Sequence, residues 1–443
     1  MHDFDVVIVG ASFSGLTLAH HLPKTLKVLV VDSKPTVGAS VESTGLITVK
    51  TRQEFAEFFP IDKFITNPIT AICVIAPDFE NHFISETDHA WIFQTDTKAL
   101  MQHLASTLPA NVTLRSATTF LNMVAPTSRR GVIGLASPRR LGLVNNPDAV
   151  SEVELLHQGK KEKVSTRFLV GANGGRSRMA EVIPKLDQNR RFLFGYEQVF
   201  IGDVHLGPKP AETIYHFWFG EFSLGYGGWL SPTLVNGKKA FRIGLAKLME
   251  DSKDASKLMQ KFIKILLERK IISIEGDESK PDYVFGSMIP IGGALKRVHH
   301  GNVLLIGDAA GLCGAFAADG IKGSVISGKV AAHLIPQYLN GNSAALKSFH
   351  REIDRHGHLM NYYKRQVRYR FIWDQMKRNR TFKAMFNIIA AEGDSFLDQF
   401  CDSKDKRKSL TWVVLKWKHL PRLFIYALAI LSDMIFHCKS SVK

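Results

Sequence analysis

The stretch Asp5 to Asp32, DVVIVGASFSGLTLAHHLPKTLKVLVVD, constrains the fold of this chain more than any other. Val6 to Val9 reads as a buried strand, Gly10 as a tight turn, the residues through His21 as a helix, and Val28 to Val31 as a second buried strand ending on an acid. In that order, the unpaired backbone N–H groups and positive end of the helix face one spot, where a pyrophosphate can rest. Asp32 stands where an acid accepts hydrogen bonds from ribose hydroxyls. The GxGxxG spacing is kept, but Ser12 takes the place of the second glycine. Residues expected around a dinucleotide here are Gly10, Ser12, Phe13, Ser14, Gly15, Asp32 and Ser33.

The 443 residues suffice for two or three units, each with its own core. Residues 33–50 are expected to be a loop and residues 69–95 to be rich in strands. A helix is predicted over Asp96 to Leu108, with Leu100, Leu104 and Leu108 on one face. Strands follow over 110–170, interrupted by a Pro/Arg/Asn-rich connection near 126–148. A glycine-broken, aromatic antiparallel sheet is predicted over 194–247, then a helix from Asp254 to Lys270. The His299-His300 pair is expected on a solvent-facing turn before the strand NVLLIG. Beyond it a glycine-rich segment leads into a helix, and 344–390 is mostly helical in pattern.

Three separated segments share one design, an apolar strand emptying into glycines beside a polar residue: Gly10 to Gly15, Gly171 to Ser177, and Gly307 to Gly311. Together they resemble the flavoprotein superfamily that includes the aromatic hydroxylases and geranylgeranyl reductases. Gly307-Asp308-Ala309-Ala310-Gly311 is similar to the family's GD motif, whose Asp contacts the ribityl or ribose part of FAD. Asn173-Gly174-Gly175-Arg176-Ser177 resembles its DGxxS segment, with Asn for Asp, which leaves the reductant open between NAD(P)H and ferredoxin. A turn cap is the alternative role for Asn173. The resemblance extends the cofactor set to Asn173, Gly307, Asp308, Gly320 and Ile321. Gly286 to Gly293 and Gly225 to Pro232 look like motifs of the geranylgeranyl reductase branch. Where members of that branch often carry a flavin-facing Cys, this chain has Ser43, and an expected Arg is Thr97.

The resemblance, which covers roughly residues 4–335, implies an α/β fold: an FAD-binding Rossmann-like domain (1–70, 96–193, 285–340) and an interleaved antiparallel-sheet substrate domain (71–95, 194–284); the helical pattern beyond it is read as a C-terminal extension (341–443). The resemblance also implies an FAD-dependent oxidoreductase saturating C=C bonds in prenyl lipid or quinone chains. An aromatic or quinone monooxygenase of the same fold is the alternative, and a non-catalytic flavin or prenyl-lipid binder the second. Tyr215, Trp218, Tyr226 and Trp229 are the candidates to line a substrate tunnel, with plain core packing as the alternative for each. Tyr226, Tyr215, Ser43 and Cys313 are the candidate proton donors, since a neutral Tyr or Cys holds its proton at pH 7. Cys313 reads equally as a small buried side chain.

Charge is unevenly spread. Of the net +16, a large share lies beyond Arg351, where 19 Lys/Arg face 9 Asp/Glu. An anionic membrane surface is the partner this suggests, in the absence of a nucleic-acid motif. Residues 362–383 mix aromatic and basic residues at helical spacing, as a solvated face or a membrane-surface helix would. Leu410 to Lys418 and Leu423 to Phe436 are apolar pieces too short to span a bilayer, and Pro421 between them suggests a kinked hairpin. That tail is read as peripheral attachment or as a lid. The first strand begins almost at the initiating Met, and the four Cys match neither metal-ligand nor disulfide spacing, so a cytoplasmic, membrane-peripheral location is expected.

Overall fold

The computed structural model describes residues 2–39, 43–124, 152–207, 213–251, 253–356, 358–397 and 414–440. The connection expected at 126–148, Cys401 and the start of the 410–418 piece lie outside them. Two compact units result, one of Met1–Ser40, Lys98–Arg191 and Ile289–Val367, the other of Val41–Thr97, Phe192–Met288 and Arg368–Lys443. The helical C-terminal region is thus divided between the units, and residues 43–97 belong with the second.

In the first unit the strands run side by side in the order His299–His300, Val303–Leu305, Lys160–Gly171, Phe4–Val9, Val28–Val31 and Val112–Arg115. From Val303–Leu305 to Val112–Arg115 every neighbour is parallel. Val6, Val7, Ile8 and all of Val28 to Val31 are fully buried, which explains their unbroken apolar spelling. Each such side chain contributes about 1.5–3 kcal/mol. The Phe13–His21 and Ile321–Leu339 helices meet at Gly328, where a Cβ would come within 2.7 Å of the Ser14 carbonyl oxygen. The His299–His300 pair forms an antiparallel edge strand on Val303–Leu305, half-buried rather than on a solvent-facing turn.

The second unit holds the aromatic sheet. Its order is Ile272–Ile274, Phe192–Val204, Lys238–Leu248, Ser223–Val235, Ile214–Gly220, Ala71–Ile75 and His82–Glu86, and Tyr283–Pro290 joins beside Phe192–Val204. The pairings are antiparallel except between Ile214–Gly220 and Ala71–Ile75. One face packs on the Ala255–Glu268 helix, with Trp218, Phe241, Ile243, Leu245, Met259 and Phe262 in a common core. Asp254 caps that helix by accepting from the Ser256 and Lys257 N–H groups.

Three local expectations are corrected. Residues 33–50 are not all loop: Leu46–Thr48 is a strand and Val49–Ala56 a helix, capped where Thr48 Oγ1 accepts from the Thr51 N–H. A three-residue strand is too short to show a period. The 362–383 stretch is two helices, Leu359–Trp373 and Asn379–Ala390, and the Lys377 and Arg378 N–H groups of the turn between them donate to distant Asp433. Pro421 does not separate two helices but lies in the first turn of one, Leu420–Ser440, where its missing N–H costs no helical bond.

His216 gives this unit a pH dependence. It is fully buried, and one ring nitrogen bonds the Leu206 carbonyl at 2.8 Å. Burial first, and His82 besides, pull its pKa down to about 4 against the stabilising Leu206 bond. The neutral form is therefore the native one. Its contribution is complete above pH 6.5 and is lost as pH falls from 6.5 to about 4, by about 3 kcal/mol at most. Urea midpoints measured across that window should fall for the native sequence and fall less for His216→Gln.

Candidate active site

Four strands of the first unit end in register at one edge: Val9 pairs with Val31 and with Gly171, and Gly171 pairs with Leu305. The residues just past each strand therefore lie side by side, within a few strand spacings of about 4.8 Å. Those continuations carry Gly10, Asp32, Asn173 and Asp308, which come from four separate segments of the sequence. Carboxyl ends of parallel strands are where such sheets bind nucleotides.

Gly10 has φ +110°, and a Cβ there would lie 2.4 Å from the Ala172 carbonyl oxygen. The Ala11 N–H donates to Asp32 Oδ2 at 2.8 Å and the Lys34 N–H to Oδ1 at 2.9 Å, so the acid is oriented before any ligand arrives. Ser33 is exposed. Ser12 replaces the second glycine without loss of the turn. It caps the Phe13–His21 helix, accepting from the Gly15 N–H at 3.3 Å, and its hydroxyl donates to Ala172 at 2.8 Å. Phe13 and buried Ser14 open that helix.

Gly307 and Asp308 sit in a tight turn, Gly307 at φ +58°, where a Cβ would lie 2.6 Å from the Ser14 hydroxyl. Gly320 caps the Ile321–Leu339 helix, and a Cβ on it would meet Asp308 Oδ1 at 2.8 Å. Asp308 is thus held across the N-terminus of a 19-residue helix. Asn173 Oδ1 accepts from the Ser177 hydroxyl at 2.8 Å, and Ser177 caps the short Arg178–Val182 helix, so Asn173 secures a turn.

Sequence reading missed the residues that brace this edge. Asn189 donates to the carbonyls of both Gly175 and Asp308, at 2.9 and 2.8 Å, and its own buried oxygen has no hydrogen-bond partner among the described residues. Gln366 accepts from the Phe316 and Ala317 N–H groups, and Tyr362 donates to Asp319 at 2.6 Å. None of these carried a motif. Cys313 is buried, and burial first, then Asp308 and Asp319, push its thiol well above the ordinary value. Such a thiol keeps its proton and parts with it reluctantly, which weighs against an acid role.

In the second unit, Tyr215, Phe217, Trp229, Glu197 and Arg242 share the sheet face opposite the Ala255–Glu268 helix, as strand alternation and register require. Gly227, at φ +139°, turns Tyr226 onto the same face, edge-on to Phe217 and Trp229 at 5.3 and 5.8 Å. Trp218 does not join them. It points the other way, fully buried against Phe262, and is core. Burial, with Tyr226 and Glu197 nearby, raises the Tyr215 phenol well above its usual value.

Glu197 accepts from Trp229 Nε1 at 2.9 Å and from Arg242 Nη1 at 3.0 Å, with all three side chains buried. The Arg242 guanidinium lies 5.4 Å from the Phe285 ring, and its Nε has no hydrogen-bond partner among the described residues. A charge inside the apolar run AFRIGLA was the sequence signal for this pair. Ser43 contributes backbone more than hydroxyl: its carbonyl lies 3.5 Å from Arg242, while its Oγ accepts from the Gly45 N–H. Thr97 is buried beside Thr95, 3.1 Å between their hydroxyls.

The residues of the first unit fit FAD: a helix N-terminus free of side-chain bulk at the glycine turn, a pre-oriented ribose acid, and a second carboxylate on the same edge. The fold is that of an FAD-dependent oxidoreductase. The chain belongs to the FAD binding domain family, whose model matches residues 3–361.

Digeranylgeranylglycerophospholipid reductase of Methanococcus vannielii is 24% identical over 345 residues, 77% of this chain and 78% of that protein. The reductase of the same name from Methanococcus aeolicus is 21% identical over 411 residues, 91% of each chain. Among solved structures, a geranylgeranyl bacteriochlorophyll reductase-like protein of Thermoplasma acidophilum superposes with TM-score 0.72 at 14% identity, covering 93% of this chain and 99% of that one. The p-nitrophenol 4-monooxygenase of Pseudomonas putida gives 0.66 at 15% identity, covering 92% and 99%. At these identities the structural likeness shows a common fold.

Proposed function

We propose that this oxidoreductase saturates C=C bonds of polyprenyl chains on a lipid or quinone. The observation that carries the reading is the similarity to digeranylgeranylglycerophospholipid reductases across 77–91% of the chain. The aromatic face of Tyr215, Phe217, Tyr226 and Trp229 supports it, because a hydrocarbon needs an apolar wall and these rings supply one. Asp32, Asp308 and the Phe13–His21 helix N-terminus hold the cofactor.

When bound and reduced, FAD would supply a hydride equivalent, two electrons and one proton, for each bond saturated, and the second proton must come from the protein or solvent. Tyr226 and Tyr215 are the candidate proton donors on this face, and Tyr226 is the less buried of the two. The Glu197–Arg242–Trp229 group fixes the wall: breaking a buried pair of this kind costs about 3–5 kcal/mol. NAD(P)H or ferredoxin delivers the electrons to the cofactor.

Purified protein reduced anaerobically with dithionite and given a digeranylgeranyl lipid should yield products heavier by two hydrogens per reduced bond. Products heavier by one oxygen, formed only in air, would establish the monooxygenase alternative. Bound flavin with no product of either kind would favour a non-catalytic carrier.

A further inference from the structure

The Leu420–Ser440 helix wears its apolar side outward. Among its described side chains, Tyr426 and Asp433 are buried, 8% and 1% exposed, whereas Phe424, Leu428, Leu431, Met434 and Ile435 are 44–67% exposed. Their spacing of three and four residues makes one continuous stripe, with no charged residue between Leu423 and Ser432. Trp417, just before the helix, is 87% exposed. A contiguous apolar stripe on an otherwise well-buried protein marks a contact surface.

The helix cannot roll this stripe inward. The Asp433 carboxylate accepts from the Lys377 and Arg378 N–H groups at 2.9 and 3.2 Å and from the Thr381 hydroxyl at 2.7 Å, and it pairs with Arg378. Toward the other end, buried Glu392 holds Lys416, Lys418 and His419. Both ties use the inward side. Among the described residues no helix is long and apolar enough to cross a membrane. The Asp433 tie, two-thirds along, keeps the helix lengthwise on its own unit.

We propose that this stripe docks the protein onto an anionic lipid surface, lying in the interfacial plane. Charge selects that occupant. Each buried carboxylate is outnumbered, Glu392 by Lys416 and Lys418, Asp433 by Arg378 and Arg380, and Arg422 is exposed beyond them. Cations at the margin of an apolar stripe, with a Trp beside them, are what an interface of acyl chains and phosphates takes up. A second copy of the chain would instead set like charges against one another. Membrane docking does not depend on the substrate reading.

Full-length protein should co-sediment with vesicles of phosphatidylcholine containing phosphatidylglycerol and much less with phosphatidylcholine alone. Raising NaCl from about 0.1 M to about 1 M shrinks the screening length from about 10 Å to about 3 Å and should release part of it. The double variant Phe424→Glu, Leu431→Glu should lower the partition coefficient about tenfold or more, with flavin content and thermal unfolding unchanged because both sites are exposed. Should that variant misfold, Trp417 fluorescence serves instead: brominated lipid should quench it in the native protein, and the quenched component should vanish in Trp417→Phe. Equal binding to both vesicle types, an unaffected folded variant, or a dimer that the variant disperses without any vesicle binding would each overturn the proposal.

Discussion

The Asp308→Ala protein is expected to purify without the yellow of bound flavin, its FAD affinity lowered by about a hundredfold, or about 3 kcal/mol. The carboxylate is not a swinging surface group. Its carbonyl is tied to Asn189 and its Oδ1 lies against the place a Gly320 side chain would fill, at the N-terminus of the Ile321–Leu339 helix. An acceptor fixed at that spot meets a ligand hydroxyl without reorganisation, so its removal forfeits a charge-assisted bond and leaves the ligand donor unpaired. Visible absorbance of the purified variant, and titration of the stripped protein with FAD, read the effect. Full flavin occupancy would remove Asp308 from the cofactor site, and Asp308→Asn, which keeps an acceptor, should fall in between.

Gly15→Val should cost about 4 kcal/mol or more and abolish flavin retention by loosening the turn itself. In an exposed helix, replacing Gly by Ala gains about 1 kcal/mol, because the chain gives up less freedom on folding. Here the geometry outweighs propensity: a Cβ on Gly15 would sit 2.0 Å from the Gly10 carbonyl oxygen and 3.3 Å from Ala172 Cβ. Neither neighbour can yield, since one is backbone and the other belongs to the adjoining strand end. Gly15→Ala is the sharper check of sign, and a thermal midpoint equal to or above the native one would contradict the packing described.

The two variants bracket the site. One removes an atom that holds the ligand, and the other displaces the main chain that shapes its seat. If Gly15→Val loses flavin together with folded structure while Asp308→Ala loses flavin alone, the division between shaping and binding residues is established.

Much of the first unit was written in local order. The Val6 to Val9 run, the Gly10 turn, the helix and the acid at Asp32 occupy fewer than thirty consecutive residues, so spacing alone places them relative to one another. The likeness of Gly307 to Gly311 to the GD motif extended this to a distant carboxylate. Periodicity also gave the aromatic antiparallel sheet, since alternation is a property of neighbours in sequence.

What only the tertiary structure decided is which face a residue took and which distant groups it met. Trp218 and Trp229 looked alike in sequence, yet one fills the core against Phe262 and the other donates to Glu197, because strand alternation and register set the face. Asn189 and Gln366 brace the edge where the glycine segments meet without any motif, since a hydrogen bond to a backbone carbonyl or N–H asks only for position. The outward stripe of the last helix was legible as apolar, but its direction was fixed by Asp433 reaching the Lys377–Thr381 turn. Local sequence sets what each element is; long-range pairing of buried polar groups sets which way it points.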